Sequence, residues 1–394
     1  MNCAITPGNV RVCGRNCGKT GVAVSWENSG VAVRFIGSGL SLEIAVEGAA
    51  ANDLPYIQVW VDGSRAARMA VQNGANSYAV ASGLDDCEHT VKVLLVTENF
   101  YTPLAFNSLI VSGNAPKLLE PEYDSEQLIF DAYGDSLTAG HGTIKGYPDY
   151  CTAASDSSVT FIGHAAERLG ADLHTVAISG WGVYHGWGRD PNGIIPRVWK
   201  FESMSTSEEW NGFAKRNADI VAVGLGTNDM WFWDDLDPEL FISAYAGFLN
   251  DIRSVYPEAY IFCLFGCLGE YNGFFDKIRE AVRRFCEGDA VGAFFVKMPD
   301  AGSNPEKHIG SNGHPSGEYG AYSAATLLDA IEEHFYKDWQ RRLYDAAERL
   351  AASDEAGAFA ELVASAKQTA SDRHSTGRNP KRFCREIEAI LNNK

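Results

Sequence analysis

The sequence predicts two folded domains of different class followed by a helical extension: an all-β sandwich over residues 1–120, an α/β domain with a parallel sheet over 121–336, and helices over 337–394. Three observations predict it. Residues 20–115 alternate apolar with polar or small side chains in short runs between turn residues. After Lys117-Leu118-Leu119-Glu120-Pro121, apolar strands alternate with stretches of helical period. From residue 337 the texture shifts to Ala, Glu, Arg and Lys with apolar residues on one helical face. At 394 residues the chain exceeds one ordinary core, which agrees with the division.

In the first domain Val31, Val33 and Phe35 share one parity, and Leu42, Ile44 and Val46 alternate likewise after Gly37-Ser38-Gly39. Ile57, Val59 and Val61 lead into Asp62-Gly63, a hairpin signal, and Val91, Val93 and Leu95 precede Thr97-Glu98-Asn99. Half-buried antiparallel strands explain this pattern without any binding role. In the second domain strands are expected near 128–133, 173–178, 219–225, 259–265 and 291–296, with helices near 159–169, 238–256, 274–287 and 319–335. Such alternation makes a parallel sheet with helices on both faces, whose reactive residues gather at the carboxyl ends of the strands. In the extension, Trp339, Leu343, Ala346, Ala347 and Leu350 form one helical face and Phe359, Leu362, Val363 and Ala366 another. Residues 371–380 interrupt the pattern before a last helix over 382–391. A tail of this kind is expected to pack on its own domain rather than to act as an oligomer contact or a lid.

The balance of 33 Lys and Arg against 51 Asp and Glu repels nucleic acid phosphates and anionic membrane surfaces, and leaves a neutral or weakly charged substrate as the easier one to accommodate. The first 18 residues contain no apolar stretch like a secretory leader and no run is long enough to span a bilayer, so the expectation is a cytoplasmic protein. Nine cysteines scattered from Cys3 to Cys384 do not suggest a disulfide scaffold. Cys13 with Cys17, and Cys263 with Cys267, would need two further ligands each to hold zinc; buried thiols explain them better, and no metal or cofactor is expected.

Residues Tyr133-Gly134-Asp135-Ser136-Leu137-Thr138-Ala139-Gly140 follow the apolar run Leu128, Ile129, Phe130, as a strand entering a Gly-punctuated turn would. Ser136 is thereby a candidate nucleophile, and a serine hydroxyl needs a base for its proton and fixed donors for the negative charge that develops on the acyl oxygen. Three further fragments offer them: Ile178-Ser179-Gly180-Trp181-Gly182, Gly226-Thr227-Asn228-Asp229 and Ser311-Asn312-Gly313-His314-Pro315. Each alone reads equally as an ordinary turn.

Their order is more informative. Ser136, Gly180, Asn228 and His314 succeed one another as the four blocks of the SGNH or GDSL hydrolase superfamily, and with β-rich sequence before them the chain resembles carbohydrate esterase family 2. The resemblance covers most of residues 20–336 and gives no counterpart for 337–394. It implies a jelly-roll sandwich ahead of an SGNH-type three-layer α/β/α domain, and a metal-independent serine esterase removing O-acetyl groups from xylan, mannan or derived oligosaccharides. Ser136 would attack the ester. Its own N–H, the Gly180 N–H and the Asn228 side-chain amide would receive the oxyanion, and His314 would act as general base.

The acidic partner is where the chain departs from the pattern. The superfamily usually has Asp three residues before the histidine, where Ser311 stands, and family 2 commonly has it two before, where Asn312 stands. The expectation is a Ser136–His314 dyad oriented by Asn312 or by a backbone carbonyl, with Asn312→Asp raising turnover by stabilising the imidazolium. Asp135 suits a local structural hydrogen bond, and His308 is the nearest competitor to His314. Trp181, Tyr184, Trp187, Trp231 and Trp233 lie near the Gly180 and Asn228 blocks, where aromatic faces could pack on pyranose rings or could simply fill core. His141 and His185, following the first two blocks, are candidates for the pocket wall. Competing readings are an esterase, thioesterase or acyltransferase for another acyl group, and a carbohydrate-binding protein with a weakened site. Oligomeric state is left open.

Overall fold

The computed structural model describes residues 1–231, 237–271, 273–353 and 357–392. Met1–Tyr123 with Ile129–Ala325 form one compact unit, and Asp124–Leu128 with Thr326–Lys394 form another.

The first unit begins with strands β1 (Asn2–Ala4), β2 (Arg11–Cys13), β3 (Val22–Val24), β4 (Ser29–Gly37), β5 (Gly39–Val46), β6 (Tyr56–Val61), β7 (Ser64–Ala70), β8 (Gly74–Ala81), β9 (Cys87–Leu95), β10 (Leu104–Ser112) and β11 (Lys117–Leu118). They make two antiparallel sheets. One runs β1-β10-β5-β8, with β3 also on β10; the other runs β11-β4-β9-β6-β7, with β2 also on β4. The alternation in sequence becomes the sandwich core: Val31 pairs Val93 and Val33 pairs Val91, and all four are buried with Phe35, Leu42, Ile44, Ile57 and Val59. A one-residue slip would turn this apolar set to water, so burial pins the register.

The α/β portion has strands β12 (Ile129–Gly134), β13 (Asp172–Ala177), β14 (Ile220–Gly224), β15 (Tyr260–Phe265) and β16 (Ala293–Lys297), all parallel in the order β13-β12-β14-β15-β16. Both parities are buried, Val221 and Val223 on one side of β14 and Ile220 and Ala222 on the other, as a sheet covered on both faces requires. Its helices are α1 (Ser136–Ala139), α2 (Phe161–Leu169), α3 (Thr227–Met230), α4 (Pro238–Val255), α5 (Phe274–Cys286), α6 (Pro305–His308) and α7 (Gly317–Ile331). Thr160 caps α2 and Asp237 caps α4, where Pro238 opens the first turn. Register decides where the reactive ends meet. Gly134 lies opposite Ala177 on one side and Gly224 on the other, so the residues just past all three strands emerge at one crevice, where the strand order reverses.

The sandwich and this sheet share buried polar contacts. Arg15, wholly buried, donates to the carbonyls of Trp199 (2.6 Å) and Phe201 (2.9 Å), the Trp26 indole donates to Phe201 O (3.0 Å), and Asn28 Nδ2 donates to Thr175 Oγ1 (3.0 Å).

In the second unit, α8 (Lys337–Ala351) packs on α9 (Ala360–Ser371) and α11 (Pro380–Asn392), with short α10 (Arg373–Thr376) inside the interruption expected at 371–380. Trp339, Leu343, Ala346, Leu350, Val363, Ala366, Phe383 and Ile387 are its buried face. No described helix is long and apolar enough to cross a membrane.

Candidate active site

Ser136 opens α1 two residues beyond β12, behind Asp135, whose carboxylate accepts the Leu137 N–H at 3.0 Å and caps the helix. Burial pushes the Asp135 carboxyl up to about 7. The hairpin-like turn between α6 and α7 brings His314 back across the crevice, its Nε2 3.0 Å from Ser136 Oγ. Its Nδ1 lies 3.0 Å from the backbone carbonyl of Asn312. A carbonyl only accepts, so Nδ1 carries the hydrogen and Nε2 presents its lone pair to the serine hydroxyl. Burial lowers the His314 pKa below the usual histidine value, opposed by that carbonyl, which favours the neutral ring a general base requires.

The carbonyl faces the ring because Asn312 adopts φ 56°, a left-handed conformation that asparagine tolerates better than most residues. The Asn312 amide is not on the imidazole. In the orientation that satisfies its neighbours, Nδ2 donates to Pro148 O at 3.1 Å and Oδ1 accepts the Tyr150 N–H at 2.9 Å. Of the two orienting groups open in the sequence, the backbone carbonyl is the one in place. Ser311 is buried; its Oγ donates to Ile144 O (2.6 Å) and accepts the Tyr147 N–H (3.0 Å), which anchors the turn.

Gly180 stands three residues past β13 with φ 80°, and the Trp181 N–H bonds back to Ile178 O at 3.2 Å. Positive φ at the third position of a four-residue turn marks type II and selects glycine. A Cβ there would meet nothing closer than Trp187 Cβ at 3.6 Å, so backbone conformation, not space, requires Gly180. Gly182 is the opposite case: a Cβ would fall 2.1 Å from His185 O and 2.5 Å from Asp229 Oδ2. Neither the Ser136 nor the Gly180 N–H has a protein acceptor among the described residues. Asn228 Nδ2 donates to Trp181 O at 2.7 Å and approaches Asp135 Oδ2 at 3.4 Å, long for a hydrogen bond. One amide hydrogen is thus committed, and the other is held only weakly.

Ser136, Gly180, Asn228, Asn312 and His314 line a cleft of about 660 Å³ together with His141, Ser179, Trp181, Trp187, Trp231 and Leu268. His141 stacks on Tyr150 (4.8 Å, 22°) with its ring 4.1 Å from that of His314; burial first, then His314, pushes its pKa down to about 4, so the adjacent rings do not repel as cations. Trp187 (58% exposed) and Trp231 (41% exposed) meet edge to face at 6.5 Å, and Tyr271 stands 5.2 Å from Trp231, forming an aromatic rim. Tyr184 is not on the cleft: its side chain packs against the buried core. His185 is buried with Nδ1 on Gly186 O (2.8 Å), and His308 stacks on Tyr322 (4.8 Å) away from the lining residues. Trp233 lies outside the described residues.

Two supporting groups escaped sequence reasoning. Asp229, fully buried, accepts the N–H groups of Val183 (3.0 Å), Tyr184 (2.8 Å) and His185 (3.1 Å), holding the strip that follows Gly180; its place directly after Asn228 was the available signal. Glu98, from the sandwich, accepts the N–H (2.7 Å) and O–H (2.6 Å) of Ser179. Burial pushes its carboxyl up against those two bonds, and pushes that of fully buried Glu27 further. No spacing in the sequence links Glu98 to Ser179.

The GDSL-like lipase/acylhydrolase family model matches residues 132–318, and the carbohydrate esterase 2 N-terminal model matches residues 12–121. The cellulase/esterase CelE of Acetivibrio thermocellus is 25% identical over 301 residues, covering 75% of this chain and 36% of the relative, so the chain spans about a third of that curated protein. Among solved structures, the acetyl xylan esterase Est2A of the rumen bacterium Butyrivibrio proteoclasticus superposes with a TM-score of 0.74 at 21% identity over 84% of this chain and 98% of its own. A family two carbohydrate esterase from Clostridium thermocellum in complex with cellohexaose does so with a TM-score of 0.74 at 23% identity over 82% and 98%. At such identities these likenesses concern the fold. Residues 12–121 thus match the carbohydrate esterase 2 N-terminal domain and residues 132–318 the GDSL-like lipase/acylhydrolase domain, and in this pairing the chain is similar to carbohydrate esterase family 2 in both its sandwich and its α/β portion.

Proposed function

We propose that the protein is a serine esterase that removes O-acetyl groups from carbohydrate, with xylan- or mannan-derived chains as substrates. The observation that carries this reading is the 3.0 Å contact of His314 Nε2 with Ser136 Oγ inside an aromatic-rimmed cleft. Ser136 Oγ attacks the acetyl carbon as its proton passes to His314 Nε2. The oxyanion receives the Ser136 and Gly180 N–H groups and the remaining hydrogen of the Asn228 amide, each such donor being worth roughly 3 kcal/mol of transition-state stabilisation. His314 then gives its proton to the departing sugar oxygen, leaving acetyl-Ser136, and water activated by the same ring releases acetate. The Asn312 carbonyl holds the tautomer throughout and faces the imidazolium with the negative end of its dipole, in the place where a carboxylate would add a full charge.

Support for a sugar comes from the exposed edges of Trp187 and Trp231, whose faces suit the C–H face of a pyranose, and from relatives described as an acetyl xylan esterase and a cellohexaose complex. The test measures 4-nitrophenyl acetate hydrolysis, and acetate release from acetylated xylo- and manno-oligosaccharides, by the full chain and by Ser136→Ala. Wild type is expected to act on all three and Ser136→Ala on none. A Ser136→Ala protein retaining more than a few per cent of wild-type turnover would remove Ser136 as nucleophile.

A further inference from the structure

Gly180 serves as an oxyanion donor only if the peptide joining it to Ser179 faces the cleft. That peptide is the central one of the Ile178-to-Trp181 turn, the unit that rotates by about half a turn between the type I and type II forms. Gly180 allows either form, since glycine populates both signs of φ. Some other group must therefore select the observed φ of 80°. The Trp181 N–H to Ile178 O bond of 3.2 Å closes the turn but is compatible with both forms. Other elements hold the two ends of the turn and the peptide after Gly180: Ile178 N–H donates to Gly134 O (3.2 Å), Trp187 N–H to Gly180 O (2.6 Å) and Asn228 Nδ2 to Trp181 O (2.7 Å). The residue before the central peptide is held by Glu98, just beyond β9 of the sandwich, which is buried and grips Ser179 at both its N–H (2.7 Å) and its O–H (2.6 Å). A two-point grip on one residue fixes both its N–H direction and its χ1, because hydrogen bonds are short and directional.

We propose that Glu98 is a positioning residue for the oxyanion donor: by clamping Ser179, the N-terminal sandwich holds the Gly180 N–H towards Ser136, and so takes part in the chemistry of the neighbouring domain. The inference rests on the esterase reading. It explains why a carboxylate is kept behind a site that develops negative charge, where electrostatics alone would disfavour it: its acceptor geometry is the useful property. Glutamine keeps one acceptor for the Ser179 N–H and offers an amide to Ser179 Oγ, so it should substitute for glutamate.

The experiment compares wild type, Glu98→Ala, Glu98→Gln, Ser179→Ala and Arg65→Ala in 4-nitrophenyl acetate hydrolysis, with circular dichroism and melting as folding controls. Arg65 donates to Ser158 O (2.8 Å) and Oγ (2.9 Å) elsewhere between sandwich and sheet, so it reports on the general cost of loosening that interface. Acylation and deacylation both pass through an oxyanion, so a misplaced donor slows both and leaves KM nearly unchanged. Glu98→Ala is expected to lose about 10- to 100-fold in kcat, less than outright loss of a donor, with KM within about threefold. Glu98→Gln should stay within about threefold of wild type, and Arg65→Ala should melt earlier with kcat within about twofold. Ser179→Ala, which removes one of the two grips, should fall between Glu98→Gln and Glu98→Ala, and decides the matter if Glu98→Ala does not fold. A folded Glu98→Ala with wild-type kcat, a Ser179→Ala with wild-type kcat, or an Arg65→Ala that loses as much as Glu98→Ala would each overturn the proposal alone. An inactive wild type would overturn it together with the esterase reading.

Discussion

Replacing Asn312 separates the work of its carbonyl from that of its side chain. The carbonyl 3.0 Å from His314 Nδ1 survives any substitution, provided the residue keeps its φ of 56°. Asn312→Gly keeps that conformation freely and loses only the amide bonds to Pro148 O and Tyr150 N, each worth about 1 kcal/mol. Asn312→Ala loses the same bonds and adds about 1–2 kcal/mol of left-handed strain, which favours release of the carbonyl from the ring. The lost amide bonds lower stability but leave the carbonyl in place, so Asn312→Gly should retain kcat within about threefold; the added strain of about 1–2 kcal/mol, at about tenfold per 1.4 kcal/mol, should cost Asn312→Ala about tenfold. His314→Ala, which removes the base, should lose about 100-fold or more. Asn312→Asp is expected to lose turnover, contrary to the expectation from sequence. Its carboxylate would sit on Pro148 O, formerly the amide's acceptor at 3.1 Å, and not on the imidazole. The assay is kcat on 4-nitrophenyl acetate at neutral pH, normalised to folded protein. An Asn312→Gly variant as inactive as His314→Ala, or an Asn312→Asp variant faster than wild type, would refute a base oriented by the peptide carbonyl.

The same geometry carries further expectations. Trp231→Ala, which removes the rim residue that meets both Trp187 and Tyr271, should impair deacetylation of oligosaccharides about tenfold more than aryl acetate hydrolysis, because only the former presents a ring to stack; equal losses would make Trp231 a support for the Asn228 loop. Because burial lowers the His314 pKa, the neutral base persists through neutrality, and kcat/KM should fall only as pH drops through a midpoint below 6.5; a midpoint above 6.5 in the pH profile would contradict the burial argument. The linked effect on stability has a definite sign. Buried neutral His141 and His314 cost nothing above the unfolded value near 6.5 and destabilise increasingly as pH falls below it, until their lowered folded values are passed, so melting temperature should decline over that interval.

Much of this site was legible because its residues obey local rules. Ser136, Gly180 and Asn228 each follow an apolar strand by a few residues, and parallel register turns that one-dimensional regularity into proximity: Gly134, Ala177 and Gly224 end side by side. His314 was legible through its irregular, Gly- and Asn-rich approach. For Tyr184 the sequence leaves sugar contact and core filling both open, for closeness in sequence to Gly180 does not say which way a ring points; the three Asp229 bonds hold that strip with Tyr184 packed inward and Trp187 facing out.

What the sequence by itself determined is the set of elements and the reactive residue types at their ends, since periodicity of two or about 3.6, turn chemistry and strand-end placement are properties of short stretches. What only the tertiary structure decided depends on backbone direction and on partners distant in the chain. That His314 is oriented by the Asn312 carbonyl follows from one left-handed φ, which no residue type dictates. That Ser179 is held by Glu98, 81 residues away, follows from how the sandwich meets the sheet. Hydrogen bonds of this kind are short-ranged and directional, so they exist only after packing has brought their partners within about 3 Å.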